Sequence, residues 1–344
     1  MLSPLHVEGR LIKDSFGNTI KLTGTARSHD FKFASPVDEA DRLSKLGVNW
    51  LRIFVKASMW VDGSYVSMVD DYVAAFTSKN IYCSLVNMEN VWADDADPSN
   101  LIAFLNSLAL RYIDNPGMMG ISVWNEPLKG VIGFDTWRIW ATLAAESLNA
   151  VNPNLIIFVE AGLPNRKGVD TYWVDNRIPI NNVYYYFHDY FWMHFFYNYD
   201  LFAELYNSSD FESAAIEMDK YFYDNYFKYS VENDFPLSLE EFGFNGGLNP
   251  ANSGWGNEPG WPQCQIDYTN MLQKYDIPWN EYSWWVKTDQ NYGLAEESDF
   301  YTLSPVGEIW AQYLTSSVIL PEIPKFVWAI IAIGTLYGIN KLRR

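Results

Sequence analysis

The sequence predicts an α/β fold, a (β/α)8 TIM barrel, and three observations carry that prediction. Eight short β-rich runs are spread over roughly 300 residues, several of them almost uninterrupted in apolar side chains, as strands covered on both faces require. Amphipathic helical stretches separate the runs, the alternation that builds parallel sheets. No glycine-rich phosphate loop follows the first strand, which disfavours a doubly wound open sheet, the other arrangement of such units. Barrels of this kind run to about 250 residues or more as one unit. The chain is therefore divided into a barrel domain at 1–316, a linker at 317–325 and a tail at 326–344.

In chain order, the strands are expected at Ile20–Gly24, Trp50–Val55, Tyr82–Val86, Met119–Trp124, Leu155–Glu160, Asn182–His188, Leu237–Phe242 and Trp279–Trp285. Between the second and third, Ser67–Lys79 places Val69, Tyr72, Val73 and Phe76 on one helical face. Pro98–Tyr112 does the same with Leu101, Leu105, Leu108 and Tyr112. Phe134–Asn149 and Phe211–Glu232 are longer helices, and Ser304–Thr315 closes the series. After the fifth strand the helical pattern is too weak to place a helix.

Composition narrows the function. Hydrophobic residues at 49% and charged ones at 19% describe a folded chain. A net charge of −18 repels phosphate backbones and excludes nucleic acid as a partner. The aromatic share of 17%, with 15 Trp and 23 Tyr, fits either a groove for flat, hydroxyl-covered ligands or a Trp-rich core. Cys83 and Cys264 make no disulfide framework, and Cys83, inside the apolar run Ile81–Val86, reads as a buried thiol. The four His are scattered and no Cys or His pair has ligand spacing, so neither a metal nor a cofactor is expected.

In a barrel the chemistry gathers at the C-terminal strand ends. The fourth strand ends Val123-Trp124-Asn125-Glu126-Pro127, and the seventh Leu239-Glu240-Glu241-Phe242-Gly243. Carboxylates on two strands across a barrel mouth can flank a glycosidic bond, where one attacks the anomeric carbon and the other protonates the leaving oxygen. Strand alternation turns Glu240 away from Glu241, into the helix layer.

With these motifs the sequence resembles a clan A glycoside hydrolase, most like family 5, the cellulase and mannanase family, over residues 5–315. The resemblance implies Glu126 as the acid/base, Asn125 as its neighbour on the sugar 2-hydroxyl, and Glu241 as the nucleophile. It likewise maps Arg52 to the arginine beside the nucleophile, His188 and Tyr190 to the His-x-Tyr pair, and Trp284, three residues before Lys287, to the tryptophan under the sugar. After the third strand, many cellulases of the family carry a histidine. Here Ser84-Leu85-Val86-Asn87-Met88-Glu89-Asn90 is closer to the mannanase branch, with Asn87 facing substrate. His29, after the first strand, either lines the sugar site or caps the first helix. Trp60, Trp92, Trp192, Trp255 and Trp261 follow strands on the mouth side, where each either stacks under a sugar or packs a loop.

The resemblance implies a retaining glycosidase acting inside a β-1,4-linked glucan or mannan, with no cofactor, and a monomer is expected. Two alternatives stay open: a catalytically inactive sugar-binding or adhesion barrel, and a hydrolase remodelling the host's own surface glycans.

The tail follows a Pro-punctuated stretch, Val318 to Pro324. Residues 326–340 are 15 uncharged, mostly apolar positions between Lys325 and the basic group Lys341, Arg343 and Arg344. A span needs about 20, a deficit that snorkelling Lys side chains reduce. The expected reading is a membrane anchor with its basic end in the cytoplasm and the barrel at the cell surface. A helix packed on the barrel and a cleaved sorting tail are the alternatives. Met1–Asp14 has no apolar h-region, so no signal peptide is visible, and export requires an upstream segment. Without one, the barrel is tail-anchored inside the cell.

Overall fold

The computed structural model describes residues 2–28, 35–89, 95, 97–128, 132–163, 168–194, 200–244, 260–284, 294–295 and 302–314, without the side chain of Trp192. Strands β1 (Leu5–Glu8) and β2 (Leu11–Asp14) form an antiparallel hairpin. The barrel follows: β3 (Thr23–Arg27), β4 (Trp50–Val55), β5 (Tyr82–Asn87), β6 (Met118–Ser122), β7 (Ile156–Glu160), β8 (Val183–His188), β9 (Leu237–Phe242) and β10 (Trp279–Glu281). These strands are parallel, lie in chain order and close, β10 pairing with β3. The predicted barrel is therefore the observed one.

The described helices are α1 (Pro36–Leu46), α2 (Ala57–Trp60), α3 (Gly63–Ser78), α4 (Ser99–Arg111), α5 (Phe134–Val151), α6 (Thr171–Asp175), α7 (Phe191–Met193), α8 (Leu201–Asn207), α9 (Phe211–Phe222), α10 (Lys228–Asn233), α11 (Trp261–Lys274) and α12 (Pro305–Leu314). Local chemistry sets several of their ends. Ser35 caps α1 with Pro36 at its first position, and Gly47, at φ 94°, ends it in the left-handed region where glycine is unstrained.

The barrel wall has two faces, and alternation assigns each residue. Leu51, Ile53, Cys83, Leu85, Ile157, Val159, Tyr185 and Phe187 join the large core shared with the helices. Their neighbours Trp50, Tyr82, Ile156, Phe158, Tyr184 and Tyr186 form a separate apolar cluster inside the barrel, closed from below by Leu5, Ile12 and Leu22. A Cβ on Gly24 would stand 1.8 Å from the Trp50 carbonyl oxygen, so only glycine lets β3 approach β4 there.

Several boundaries differ from expectation. The first barrel strand begins at Thr23 rather than Ile20, because Leu22 belongs to the plug. The eighth is three residues long and ends at Glu281, not Trp285. The stretch expected as one helix, Phe211–Glu232, is α9, a π-helical turn at Tyr223–Phe227, and α10. A π turn inserts an extra residue, and here both Tyr226 and Phe227 face Phe187, at 4.2 and 6.3 Å between ring centroids. Among the described residues after the fifth barrel strand, the helix formed is the five-residue α6, held by its Asp170 cap and the Arg138–Asp170 ion pair at 2.8 Å, in keeping with the weak helical pattern.

Both cysteines are free and buried. Among the described residues no helix is long and apolar enough to cross a membrane. The linker and tail, including the expected anchor at 326–340, lie outside the described residues.

Candidate active site

Arg52 reaches the mouth by simple alternation: Trp50, Arg52 and Phe54 face inward on β4 while Leu51, Ile53 and Val55 face the helices. On β9 alternation is broken. Phe187 pairs with Leu239 but His188 pairs with Glu241, which skips Glu240. Such a bulge re-aims side chains, and Glu240 and Glu241 both turn inward. The expectation that Glu240 enters the helix layer is corrected. Fully buried, it places Oε2 3.0 Å from Arg52 Nε and 3.4 Å from the Ser122 hydroxyl, which donates to it.

Glu241 sits beside this pair. Arg52 Nη1 donates to its Oε1 at 3.3 Å, and the Tyr190 hydroxyl donates to its Oε2 at 2.9 Å. Arg52 is itself lodged between the rings of Phe54 and Tyr186, at 5.3 and 5.8 Å. His188 bridges the mouth: its Nδ1 is 3.6 Å from Glu241 and 3.5 Å from Glu126. Across from it, Glu126 follows β6 with φ at +52°, and its N–H donates to Glu160 Oε2 at 2.6 Å. One oxygen each from Glu126 and Glu241 and one His188 nitrogen all lie within 4.8 Å of one another. The Glu126 side chain is 27% exposed and that of Glu241 6%, so the two carboxylates differ in access to solvent.

Electrostatics follow from this crowding. Burial opposes charge on His188, but Glu241, Glu126 and Glu160 outweigh it and raise its affinity for a proton. Burial likewise opposes the Arg52 charge, and Glu240, Glu241 and Tyr186 together hold that charge more firmly still. Enclosure first and the Glu241 charge second push the Tyr190 phenol well above its ordinary value, keeping it a donor. Burial lifts the Glu160 carboxyl to about 8.

The remaining candidates fall into three groups. Asn125 is brought to the site: it is 8% exposed, its N–H donates to the Asn87 carbonyl, and its side-chain Oδ1 has no hydrogen-bond partner among the described residues. Asn87 is fully buried. Its amide donates to the Val123 carbonyl and accepts from the Glu89 N–H, which ties the ends of β5 and β6 together. Trp284 is not brought to the mouth: only 1% exposed, it packs on Trp310 of α12 at 6.2 Å. The short β10 turns Tyr282 inward instead, 6.3 Å from Tyr190 and 5.8 Å from Phe54. Trp60 packs edge-on against Tyr65 and Phe104, and Trp261 begins α11, part-buried. His29, Trp92, Trp255, Lys287 and the side chain of Trp192 lie outside the described residues.

Sequence reasoning missed Glu160 and Tyr282. Glu160 had a signal, since it lies at the C-terminal end of a barrel strand, the level at which Glu126 and Glu241 were sought. Tyr282 had none, because its position depends on where β10 stops. The expected absence of metal-ligand spacing concerns neighbours in sequence. In space, Glu126, His188 and Glu241 do bring together donors able to ligate an ion.

A parallel eight-stranded barrel, with glutamates crowded around a histidine and a buried arginine at its strand ends, has the makings of a glycosidase. The sequence model of the family Cellulase (glycosyl hydrolase family 5) matches residues 14–288, and the chain belongs to that family, in clan A. Solved structures agree on the fold. The catalytic domain of the major endoglucanase from Xanthomonas campestris pv. campestris is 17% identical, with 90% of this chain and 99% of that chain covered at a TM-score of 0.70. An endocellulase from Pyrococcus horikoshii, solved as a substituted form in complex with cellotetraose, is 16% identical over 91% and 98% at 0.72. A β-mannanase from Streptomyces thermolilacinus with mannohexaose is 17% identical over 91% and 95% at 0.63.

Proposed function

We propose that this glycosidase cleaves within β-1,4-linked glucan or mannan chains with net retention, Glu241 attacking the anomeric carbon and Glu126 acting as acid and then base. The observation that carries this reading is the approach of Glu126 and Glu241 oxygens to within 4.8 Å. Retaining enzymes hold their carboxyls about 5–5.5 Å apart, whereas inverting ones need roughly 6.5–9.5 Å to admit a water. Arg52 and Tyr190 converge on Glu241, which suits an anionic nucleophile held in one orientation. Glu126, the more exposed carboxyl, is reachable by a leaving group and by water. When the glycosyl–enzyme bond forms, the Glu241 charge is consumed, and Glu126 is freed to act as base. The Asn125 Oδ1, without a hydrogen-bond partner among the described residues, is suited to a sugar hydroxyl.

Proton NMR of the first product from a β-linked substrate tests this directly. The β-anomer is expected before mutarotation, and an initial α-anomer would overturn it. A hydrolysis panel of carboxymethyl cellulose, mannan, glucomannan, β-1,3-glucan and glycolipid identifies the backbone; action on β-1,3-glucan alone would contradict the β-1,4 assignment. Activity is expected to survive EDTA, since neither step calls on a metal.

For residues 326–340 the proposal is a membrane anchor that leaves the barrel at the cell surface, on the strength of the uncharged run and its basic flank. Protease treatment of whole cells expressing the full gene with its upstream region should release the barrel. A barrel protected in intact cells would contradict it. A monomer is expected by light scattering.

A further inference from the structure

The chain between β6 and the mouth has left its strand, yet its backbone is held residue by residue. The Val123 N–H donates to the Phe158 carbonyl, the Trp124 carbonyl accepts the Tyr186 hydroxyl at 2.8 Å, and the Asn125 N–H donates to the Asn87 carbonyl. The last link runs to a carboxyl. The Glu126 N–H donates to a side chain, Glu160 Oε2, at 2.6 Å. Glu126 needs that link most, since at φ +52° it occupies a region that residues other than glycine rarely adopt without support. Glu160 is well placed to give it. It ends β7, is 8% exposed, and its own carbonyl accepts the Trp137 indole N–H at 3.0 Å, which anchors its backbone to α5.

We propose that Glu160 is a positioning residue for the reaction: its carboxyl locks the Glu126 backbone in the left-handed turn and thereby aims the Glu126 carboxyl at the leaving oxygen. The inference rests on Glu126 being the acid/base. Groups facing Glu160 are Glu126, His188 and Tyr186 on β8, and Glu241 on β9. Burial keeps the Glu160 proton to about pH 8, with Glu126 and Glu241 adding to the effect and His188 opposing it. An amide oxygen can accept the same N–H, so Glu160→Gln preserves the lock and Glu160→Ala removes it.

Kinetics with two kinds of leaving group separate aiming from general damage. General acid catalysis is worth about 10²–10⁴-fold. Glu160→Ala should therefore lose about a hundredfold or more in kcat/KM on an unactivated β-glycan. On a 2,4-dinitrophenyl β-glycoside, whose leaving group departs without a proton, the same kcat/KM should fall less than about threefold. Glu160→Gln should stay near wild type on both. Equal losses on the two substrates, or an unaffected Glu160→Ala, would overturn the proposal.

A second measurement is independent of catalysis. In protein labelled with nitrogen-15 glutamate, the Glu126 amide proton, assigned by its disappearance in Glu126→Gln, should shift with pH around 8 and lose that response in Glu160→Gln. An amide that neither responds to pH nor moves in Glu160→Ala rejects the lock, whether or not any glycan is cleaved. Conversely, wild-type protein that cleaves no β-glycan would sink the functional reading while the amide still decides the lock.

Discussion

Two steps along the same strands separate two kinds of interior. On β4 Trp50 lies below Arg52, on β7 Phe158 below Glu160, and on β8 Tyr186 below His188, each pair one alternation apart on the inward face. At the lower level Trp50 stacks on Phe158 at 5.8 Å, donates its indole N–H to the Ser84 hydroxyl at 2.9 Å, and is sealed by the hairpin. At the upper level charges are crowded: Arg52 carries Glu240 and Glu241, His188 lies between Glu241 and Glu126, and Asn125 Oδ1 and His188 Nε2 have no hydrogen-bond partner among the described residues. Close apolar packing stabilises a fold, whereas buried charges and unsatisfied polar atoms cost it stability. The barrel therefore concentrates stability below and chemistry above, and mutations at the two levels should have opposite signatures.

The largest effect expected is at the upper level. Glu241→Gln and Glu126→Gln should each lower turnover on polysaccharide by several orders of magnitude, while the unfolding midpoint stays at or above that of wild type. Turnover near wild type in either variant, measured alongside circular dichroism, would break both the comparison and the mechanism. Azide should rescue Glu126→Ala on a dinitrophenyl glycoside, because a small anion can replace the water that Glu126 no longer activates.

At the lower level the signature reverses. Trp50→Ala removes a fully buried ring and its hydrogen bond, and should cost about 3–5 kcal/mol of stability. Specific activity of the folded fraction at low temperature should change little. If chemical denaturation shows no loss, the plug is not the stabilising element inferred here.

Tyr190→Phe tests the upper level more finely, since it deletes one donor and leaves the ring. Hydrogen bonds to charged groups are worth about 1.5–3 kcal/mol, so kcat should fall about tenfold to a hundredfold with little change in unfolding. A variant with unchanged kcat would show that the Tyr190 hydroxyl is not needed to hold Glu241.

How legible this was from the sequence also depends on the level. The barrel and the strands β4 and β9 were readable to the residue, because strands covered on both faces leave unbroken apolar runs. That Glu126 and Glu241 lie at the mouth was readable because strand-end motifs are local. Glu240 was misplaced, since a bulge is set by pairing with β8 and leaves no mark in β9 itself. Trp284 was misassigned and Tyr282 missed for a similar reason: where β10 stops is decided by its neighbours. The aromatic surplus was ambiguous for good cause. Trp50, Trp124, Trp137, Trp173, Trp279, Trp284 and Trp310 are all among the largest fully buried side chains, so much of the tryptophan fills the core rather than a groove.

The smallest expected effect separates burial of a carboxylate from its use. Glu281 lies on β10 beside the helix layer, 1% exposed, with Oε1 accepting from the Gln265 amide at 3.1 Å and Oε2 unpartnered among the described residues. Burial raises its carboxyl well above the ordinary 4.5, and outweighs the Gln265 hydrogen bond, which pulls the other way. Below pH 4.5 the folded and unfolded chains both hold the proton. Above it the unfolded chain releases a proton that the folded chain keeps, so stability declines as pH rises until the folded value is passed. Each such proton contributes a slope of about 1.4 kcal/mol per pH unit. Glu39, Glu160 and Glu240, also raised by burial, act in the same direction. Glu281→Gln should match wild type in stability near pH 4 and exceed it increasingly toward pH 8, with specific activity unchanged. Urea midpoints across that range would decide it: parallel curves for the two proteins would mean that Glu281 is already ionised in the fold, and that a carboxylate can be buried in this barrel away from the mouth without holding its proton.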